Sequence, residues 1–325
     1  MRAVKYPQFG TPEEILGVEE IPTPDPGPGE VRVRVVLSPI HNHDLWTIRG
    51  EYGFKPELPA QAGTEAVGVV DALGEGVDNL AVGQRVATGQ KFGAWAEFFV
   101  AKATGLIPVP DTLSDEDAAQ LLAMPYSSIT LLDQLNLGEG QWLIQNAANG
   151  AVGRTLAQLA SARGVNVISL VRRAAGVDEL AAIGIDRVVA TDEDGWQEKV
   201  RAIAGDAPII AGVDSVGGRA TGDMMQLLGE NSTLIVFGAM ESPVVKIPSG
   251  DLIFKQATVK GFWASTVSAT MDRTRNAELM AELVERVGAG ELSLPVEAVY
   301  PLEKIRDAVA ANATAGRSGK ILLKP

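Results

Sequence analysis

With 325 residues, the chain exceeds the usual size of one domain, so two domains are expected. Its 46% hydrophobic residues supply an ample core, while a formal charge of -13 argues against nucleic acid or an anionic membrane as the main partner. The absence of cysteine excludes disulfides, a thiolate nucleophile and cysteine-ligated zinc. No apolar run approaches the ~18 residues that span a bilayer. The first residues, Met1-Arg2-Ala3-Val4-Lys5-Tyr6-Pro7, lack the pattern of a secretory signal, so a cytoplasmic protein is the expectation.

Short strands and turns dominate the first ~110 residues, which suits a barrel-like domain. A Pro/Gly-rich stretch over 22–29 precedes an alternating strand over 31–37. Further strands are predicted over 63–73 and 78–87, separated by Gly-rich turns. His41 and His43 are the only histidines. On a strand they would share one face, which leaves two readings open: a metal pair completed by Asp44 or Glu65, or two side chains lining a loop near a pocket. Ser114 caps a helix with Asp115, Glu116 and Asp117 in its first turn and apolar residues over 118–124 after them.

The most informative stretch follows. Trp142-Leu143-Ile144 reads as a buried strand, and the turn after it is built of small residues. A helix begins near Val152, with Val152, Leu156, Leu159 and Ala160 on one face and Gly164 placed to end it. A second apolar run over 165–171 ends in Arg172 and Arg173. This strand–turn–helix–strand unit places a dinucleotide pyrophosphate at a helix N-terminus. Its glycine pattern is Ala148-x-Gly150-x-x-Gly153, one glycine short of the full fingerprint. Gly150 and Ala151 allow close approach of phosphate, and Gly153 allows the helix to pack on the strand. Where NAD-binding chains place a carboxylate, two arginines suit a 2′-phosphate, pointing to NADPH; the alternative is that both are solvated residues at a strand end.

Strands over 187–190, 209–214, 233–238 and 258–261 alternate with helical candidates over 178–183, 196–204 and 220–228, predicting a doubly wound parallel sheet. Amphipathic helices over 276–287 and 302–311 and a strand over 320–323 close the chain. The expected division is a β-rich catalytic domain formed by 1–119 with 262–325, around an NADPH-binding domain of the α/β class over 120–261. The active site is expected in the cleft between them.

Several motifs together resemble the medium-chain dehydrogenase/reductase superfamily over essentially the full length. They are Pro59-x-x-Ala62-Gly63-Thr64-Glu65-x-x-Gly68-Val69-Val70, Val213-Asp214-x-Val216-Gly217-Gly218 and Gly316-Arg317-Ser318-Gly319-Lys320-Ile321. The resemblance implies a Rossmann-type sheet joined to a GroES-like catalytic domain. Thr64 stands where the zinc-dependent members have a ligating histidine, and the cysteine-rich zinc lobe is absent, which implies the zinc-free branch with no metal. Gln145-Asn146-Ala147-Ala148-Asn149, Arg49-Gly50-Glu51-Tyr52-Gly53, Pro56-Glu57-Leu58-Pro59-Ala60 and Gly261-Phe262-Trp263 are similar to the mitochondrial-type 2-enoyl thioester reductases. Those enzymes reduce the 2,3 double bond with NADPH, and the residue matching Tyr52 donates a proton.

By the same matching, Asn149, Gly150, Ala151, Val152, Arg172, Arg173, Phe237, Gly238, Ala239, Met240, Phe262, Trp263, Ala264, Ser265 and Lys320 would contact NADPH. His41 and Met124 depart from that subfamily, each standing where it has an asparagine. A phenol of unperturbed pKa ~10 is neutral at pH 7 and able to donate; the alternative for Tyr52 is a packing aromatic. Trp263 is either a wall of the cofactor cleft or core. The rival activity is NADPH:quinone oxidoreduction, and a remoter one a non-catalytic NADPH sensor. An enoyl thioester, enone or quinone is the expected small-molecule partner. Strands over 233–261 that could pair across a two-fold axis imply a homodimer.

Overall fold

The computed structural model describes residues 1–89, 91–314 and 316–325, which form two compact units, 1–123 with 294–325 and 124–293. The first unit begins with β1 (Arg2–Tyr6), α1 (Pro12–Ile15), β2 (Gly17–Glu20), β3 (Glu30–Pro39) and α2 (Asn42–Arg49). It continues through β4 (Ala60–Gln61), β5 (Ala66–Leu73), β6 (Arg85–Thr88), β7 (Phe98–Lys102), β8 (Ile107–Pro108) and α3 (Asp115–Ala118). Alternation in β3 explains its role: Val31, Val33 and Val35 are buried against Val70, Val86 and Phe99, while Arg32 and Arg34 point away.

A second core holds Tyr6, Ile40, Ile48, Trp95 and Leu323, where the Trp95 indole donates to the Pro39 carbonyl at 3.1 Å. Gly63, at φ +89°, is required there, because a Cβ would lie 2.2 Å from the indole of Trp95. The strand predicted over 78–87 shortens to β6, since Gly83 turns the chain at φ +88°. The histidines are not on a strand: His41 caps α2, and the Asp44 carboxylate accepts from its backbone N–H. That side-chain-to-backbone bond starts a helix where β periodicity would have continued.

In the second unit α4 (Met124–Leu135) precedes β9 (Trp142–Gln145), α5 (Ala151–Ala162), β10 (Asn166–Val171), α6 (Ala175–Ala181) and β11 (Val188–Ala190). Then come α7 (Trp196–Ala204), β12 (Ile209–Asp214), α8 (Gly218–Leu227), β13 (Thr233–Val236), α9 (Ser249–Lys255), β14 (Thr258–Gly261), α10 (Ala264–Thr270) and α11 (Arg273–Gly288). All six strands are parallel in the order β11-β10-β9-β12-β13-β14. The sheet is doubly wound, as the alternation predicts, and its order reverses between β9 and β12. Such switch points open a crevice at the strands' C-terminal ends.

α12 (Ile305–Ala313) lies between β15 (Val296–Pro301) and β16 (Lys320–Lys324), and these strands extend the first unit's larger sheet, in the order β15-β16-β3-β5-β6-β8 with β7 on β3. The compact units differ from the expected division at 120–123, which falls with the β-rich unit, and at 262–293, which falls with the parallel sheet. Side chains account for this: Leu279, Leu283 and Val287 of α11 are buried, Arg275 pairs with Asp133 at 2.6 Å, and Arg163 pairs with Glu282 at 2.6 Å. Among the described residues no helix is long and apolar enough to cross a membrane.

Candidate functional site

In the parallel-sheet unit, every candidate cofactor residue except Lys320 gathers at one edge. Asn149 and Gly150 follow β9, Arg172 and Arg173 follow β10, Phe237–Met240 follow β13, and Phe262–Ser265 follow β14. These are C-terminal strand ends on both sides of the switch point between β9 and β12. Gly150 is the N-cap of α5 and provides no side-chain acceptor, so the first N–H groups of the helix keep their donors for a ligand. At Gly153 a Cβ would lie 2.6 Å from the Cα of Ala148, so glycine alone lets α5 start this close to the turn. Ala148, which stands where the full fingerprint has its first glycine, is fully buried.

The turn is stapled from behind. Asn146 Nδ2 donates to Asp214 Oδ1 at 2.6 Å, and the Ser215 N–H donates to Asn146 Oδ1 at 2.7 Å. Asp214 also accepts from the N–H groups of Val216 and Gly217 and from the Thr221 hydroxyl, at 2.9, 3.1 and 2.5 Å. One buried carboxylate thus fixes the ends of β9 and β12 and the start of α8. Gln145 donates to the Gly153 carbonyl at 2.8 Å, holding the first turn of α5 to the strand. Arg172 and Arg173 are exposed, Met240 and Trp263 are 57% and 44% exposed, and the Phe237 and Phe262 rings meet edge-on at 6.4 Å. Trp263 is therefore not a core residue of this unit.

The β-rich unit holds the other two candidates in a polar cluster. Lys320 Nζ lies 3.0 Å from His41 Nδ1, and His41 Nε2 lies 2.6 Å from Glu65 Oε2. Glu65 Oε1 accepts from the N–H groups of Leu122 and Ala123 at 2.5 and 2.9 Å. An ammonium group only donates, so His41 accepts at Nδ1 and donates from Nε2 to Glu65. Burial holds the His41 imidazole well below its ordinary pKa, aided by the Lys320 charge. Burial likewise pushes Glu65 up to about 8 and Lys320 down to about 8. Lys320, matched by resemblance to a cofactor contact, thus finds its nearest partner in His41.

A second line of hydrogen bonds runs alongside. Thr64 Oγ1 donates to Asp44 Oδ1 at 2.7 Å and lies 2.7 Å from His43 Nε2. The His43 ring stacks on His41 with centroids 4.9 Å apart and lies 5.9 Å from the ring of Tyr52. Tyr52 is half-buried just beyond α2, its N–H bonded to the Trp46 carbonyl at 3.2 Å. Met124 is the first residue of α4. Both ring nitrogens of His41 are engaged, one by a cation, and among the described residues no three His, Asp or Glu side chains are grouped to hold a metal. Of the two histidine readings, the geometry gives neither a metal pair nor bare lining: both rings belong to hydrogen-bonded chains. The sequence offered Asp44 or Glu65 as company for the histidines but not the chain with Lys320, because His41 meets Glu65 and Lys320 from 24 and 279 residues away.

Comparison with known proteins gives a consistent likeness. Residues 27–111 match the family described as alcohol dehydrogenase GroES-like domain, and 151–285 that described as zinc-binding dehydrogenase. The mitochondrial enoyl-[acyl-carrier-protein] reductase of Rattus norvegicus is 30% identical over 319 residues, spanning 96% of this chain and 85% of that protein. A quinone oxidoreductase of Pseudomonas syringae superposes with a TM-score of 0.89 at 26% identity, covering 100% of this chain and 99% of that one. The Escherichia coli quinone oxidoreductase, solved with NADPH, superposes at 0.88 with 25% identity, covering 100% of both chains.

Proposed function

The chain belongs to the medium-chain dehydrogenase/reductase superfamily, in its zinc-free branch, and on that premise we propose that it reduces activated C=C bonds with NADPH, a 2-enoyl thioester being its substrate class. Membership makes it an oxidoreductase; the cofactor and acceptor are our reading. The gathering of the cofactor candidates along the C-terminal ends of β9, β10, β13 and β14 carries it. The uncapped N-terminus of α5 and the close seat at Gly153 fit a pyrophosphate, and exposed Arg172 and Arg173 fit a 2′-phosphate.

When bound, NADPH would supply the hydride for the β-carbon. The protein's residues do the remainder. Backbone N–H groups or a hydroxyl can bind charge developing on the thioester oxygen, and the Tyr52 phenol passes its proton to the α-carbon. This chemistry requires no metal ion, since conjugation with the thioester already polarises the alkene.

The likeness to quinone oxidoreductases favours a second reading, NADPH:quinone oxidoreduction, on the same cofactor site. Quinones accept hydride without a dedicated acid, so Tyr52→Phe separates the two. Enoyl reduction should fall about 10²-fold or more, as for loss of a general acid, while quinone reduction barely changes. Loss of NADPH absorbance is followed with crotonyl-CoA, an enone and a benzoquinone in parallel, and with NADH beside NADPH. Preference for NADH, or unchanged enoyl reduction in Tyr52→Phe, would overturn the corresponding part.

We also propose that two copies associate through the edge of the parallel sheet formed by β14, whose four residues are all exposed.

A further inference from the structure

His43 has a defined proton arrangement, and the sequence assigned it none. Thr64 has one hydroxyl proton, and it is donated to Asp44 Oδ1 at 2.7 Å. Thr64 Oγ1 must therefore accept in its contact with His43 Nε2 at 2.7 Å, so Nε2 carries the hydrogen. Neutral His43 is left with its lone pair on Nδ1. Asp44 is itself fixed, because its other oxygen accepts from the His41 N–H at 2.9 Å. This is the logic by which a carboxylate orients a catalytic imidazole, with a threonine hydroxyl interposed. The ring is flanked by His41 and Tyr52 at 4.9 and 5.9 Å, and 21% of its side chain remains open to solvent.

We propose that His43 is a proton-relay residue acting through Tyr52, returning a solvent proton to the phenol after each turnover, with Thr64 and Asp44 fixing the nitrogen that does so. The inference rests on the reading of Tyr52 as proton donor. Hydride from NADPH forms the new C–H bond at the β-carbon, and the electron pair of the alkene moves toward the thioester oxygen. The Tyr52 O–H bond breaks as its proton joins the α-carbon, leaving a phenolate. Neutral His43 takes up one solvent proton at Nδ1 and passes it to that oxygen, which restores the phenol and returns the ring to its neutral, Nε2-protonated state. The sum is substrate, NADPH and one proton giving saturated thioester and NADP+.

The groups that act on the imidazole agree with this role. Burial lowers its pKa and Lys320 adds to that, while Asp44 opposes both. His41 and Tyr52 are its titratable ring neighbours, and Glu65 reaches it only through His41. The resting imidazole is neutral at pH 7, which leaves Nδ1 able to take up a proton transiently.

His43→Gln keeps an N–H donor of similar reach for Thr64 and removes the titrating nitrogen. It should lower kcat for crotonyl-CoA on the order of 10²-fold, the low end for proton-transfer groups. KM, NADPH affinity by fluorescence and melting temperature should be unchanged, and added imidazole should restore turnover in the variant but not in Tyr52→Phe. Without cofactor, 15N NMR should find His43 protonated at Nε2 in the native protein and redistributed toward Nδ1 in Thr64→Val. Native kcat in His43→Gln, failure of imidazole to rescue it, or an Nδ1-protonated ring in the native protein would overturn the relay while leaving the proposed function standing. If the native enzyme reduces none of the three acceptors, the proposed function fails and the relay fails with it.

Discussion

Glu65 has no exposed surface, yet its carboxyl is held by two backbone N–H groups and the His41 ring. Lys320 closes the chain on the far side of that ring, so three residues form one hydrogen-bonded chain in which Glu65 and His41 are fully buried and Lys320 half-buried. Glu65→Gln, nearly isosteric, is therefore not conservative. With Oε1 kept for Leu122 and Ala123, the new amide N–H groups face His41 Nε2 and force its proton to Nδ1, against the Lys320 ammonium. The clash with that cation, which at a pKa of about 8 can be relieved by loss of its proton, costs about 1–2 kcal/mol near pH 7, visible as a lower urea midpoint. Adding Lys320→Met removes the conflict and should recover part of the loss, a non-additivity that a double-mutant cycle measures. Acid sensitivity has a definite sign here. His41 and His43 both titrate below the ordinary value of 6.5, so under it the unfolded chain binds protons that the native one refuses. Their contribution is present above pH 6.5 and is lost as pH falls through the native pKa values. Glu65, raised from 4.5 to about 8, pulls the other way over part of that range. Comparison of the native protein with a His41→Gln/His43→Gln variant by urea denaturation at about pH 7.5 and 5.5 isolates the histidines: the variant should lose less stability on acidification.

At the scale of elements, α5 and the turn before it depend on residues that the chain brings together from a distance. Asp214→Ala would leave two backbone N–H groups, the Asn146 amide and the Thr221 hydroxyl without their acceptor in a buried site. At about 1–3 kcal/mol for each unsatisfied group, with water relieving some, a loss of about 3 kcal/mol is expected in chemical denaturation. Gly153→Ala places a methyl against backbone rather than a flexible side chain, so α5 must shift, and NADPH affinity by fluorescence titration should fall at least 10-fold. Unchanged affinity would mean that the seat of α5 does not matter to binding. These elements divide by how local their cause is. β9, α5 and β10 are readable because apolar runs and glycines act within a few residues of one another. The start of α2 was not, since the hydrogen bond that the His41 N–H donates to the Asp44 carboxylate sets it. Helix α4 was hidden in an apolar stretch whose boundary is marked only by Pro125, which suits a first turn. The polar cluster was the least readable part: His43, Asp44 and Thr64 were each visible in the sequence, but the hydrogen-bonded line that joins them shows only in distances near 2.7 Å.

On the scale of the whole molecule, what stands out is an unprotected edge. β14 pairs with β13 on one side, and all four of its residues are exposed. The helix that leads into it, α9, has no buried residue, with Ile253 59% and Phe254 82% exposed, and Val259 in the strand is 37% exposed. Open strand edges are usually blunted by charge, proline or a covering element, because their free N–H and C=O groups template further pairing. Here the edge combines a single lysine, Lys260, with neighbouring apolar side chains. A second copy of the chain, related by a two-fold axis, can satisfy the edge with its own β14 and cover both apolar sets at once, since a two-fold contact is self-complementary. Light scattering after gel filtration should then give twice the chain mass of 34.2 kDa. The pair Ile253→Lys and Phe254→Glu should shift the population toward the single-chain mass without changing the far-UV circular dichroism, because neither residue is needed by the core of its own unit. A native protein that runs at the single-chain mass across micromolar concentrations would rule the edge out as a site of self-association. A dimer untouched by those substitutions would move the interface elsewhere on the surface.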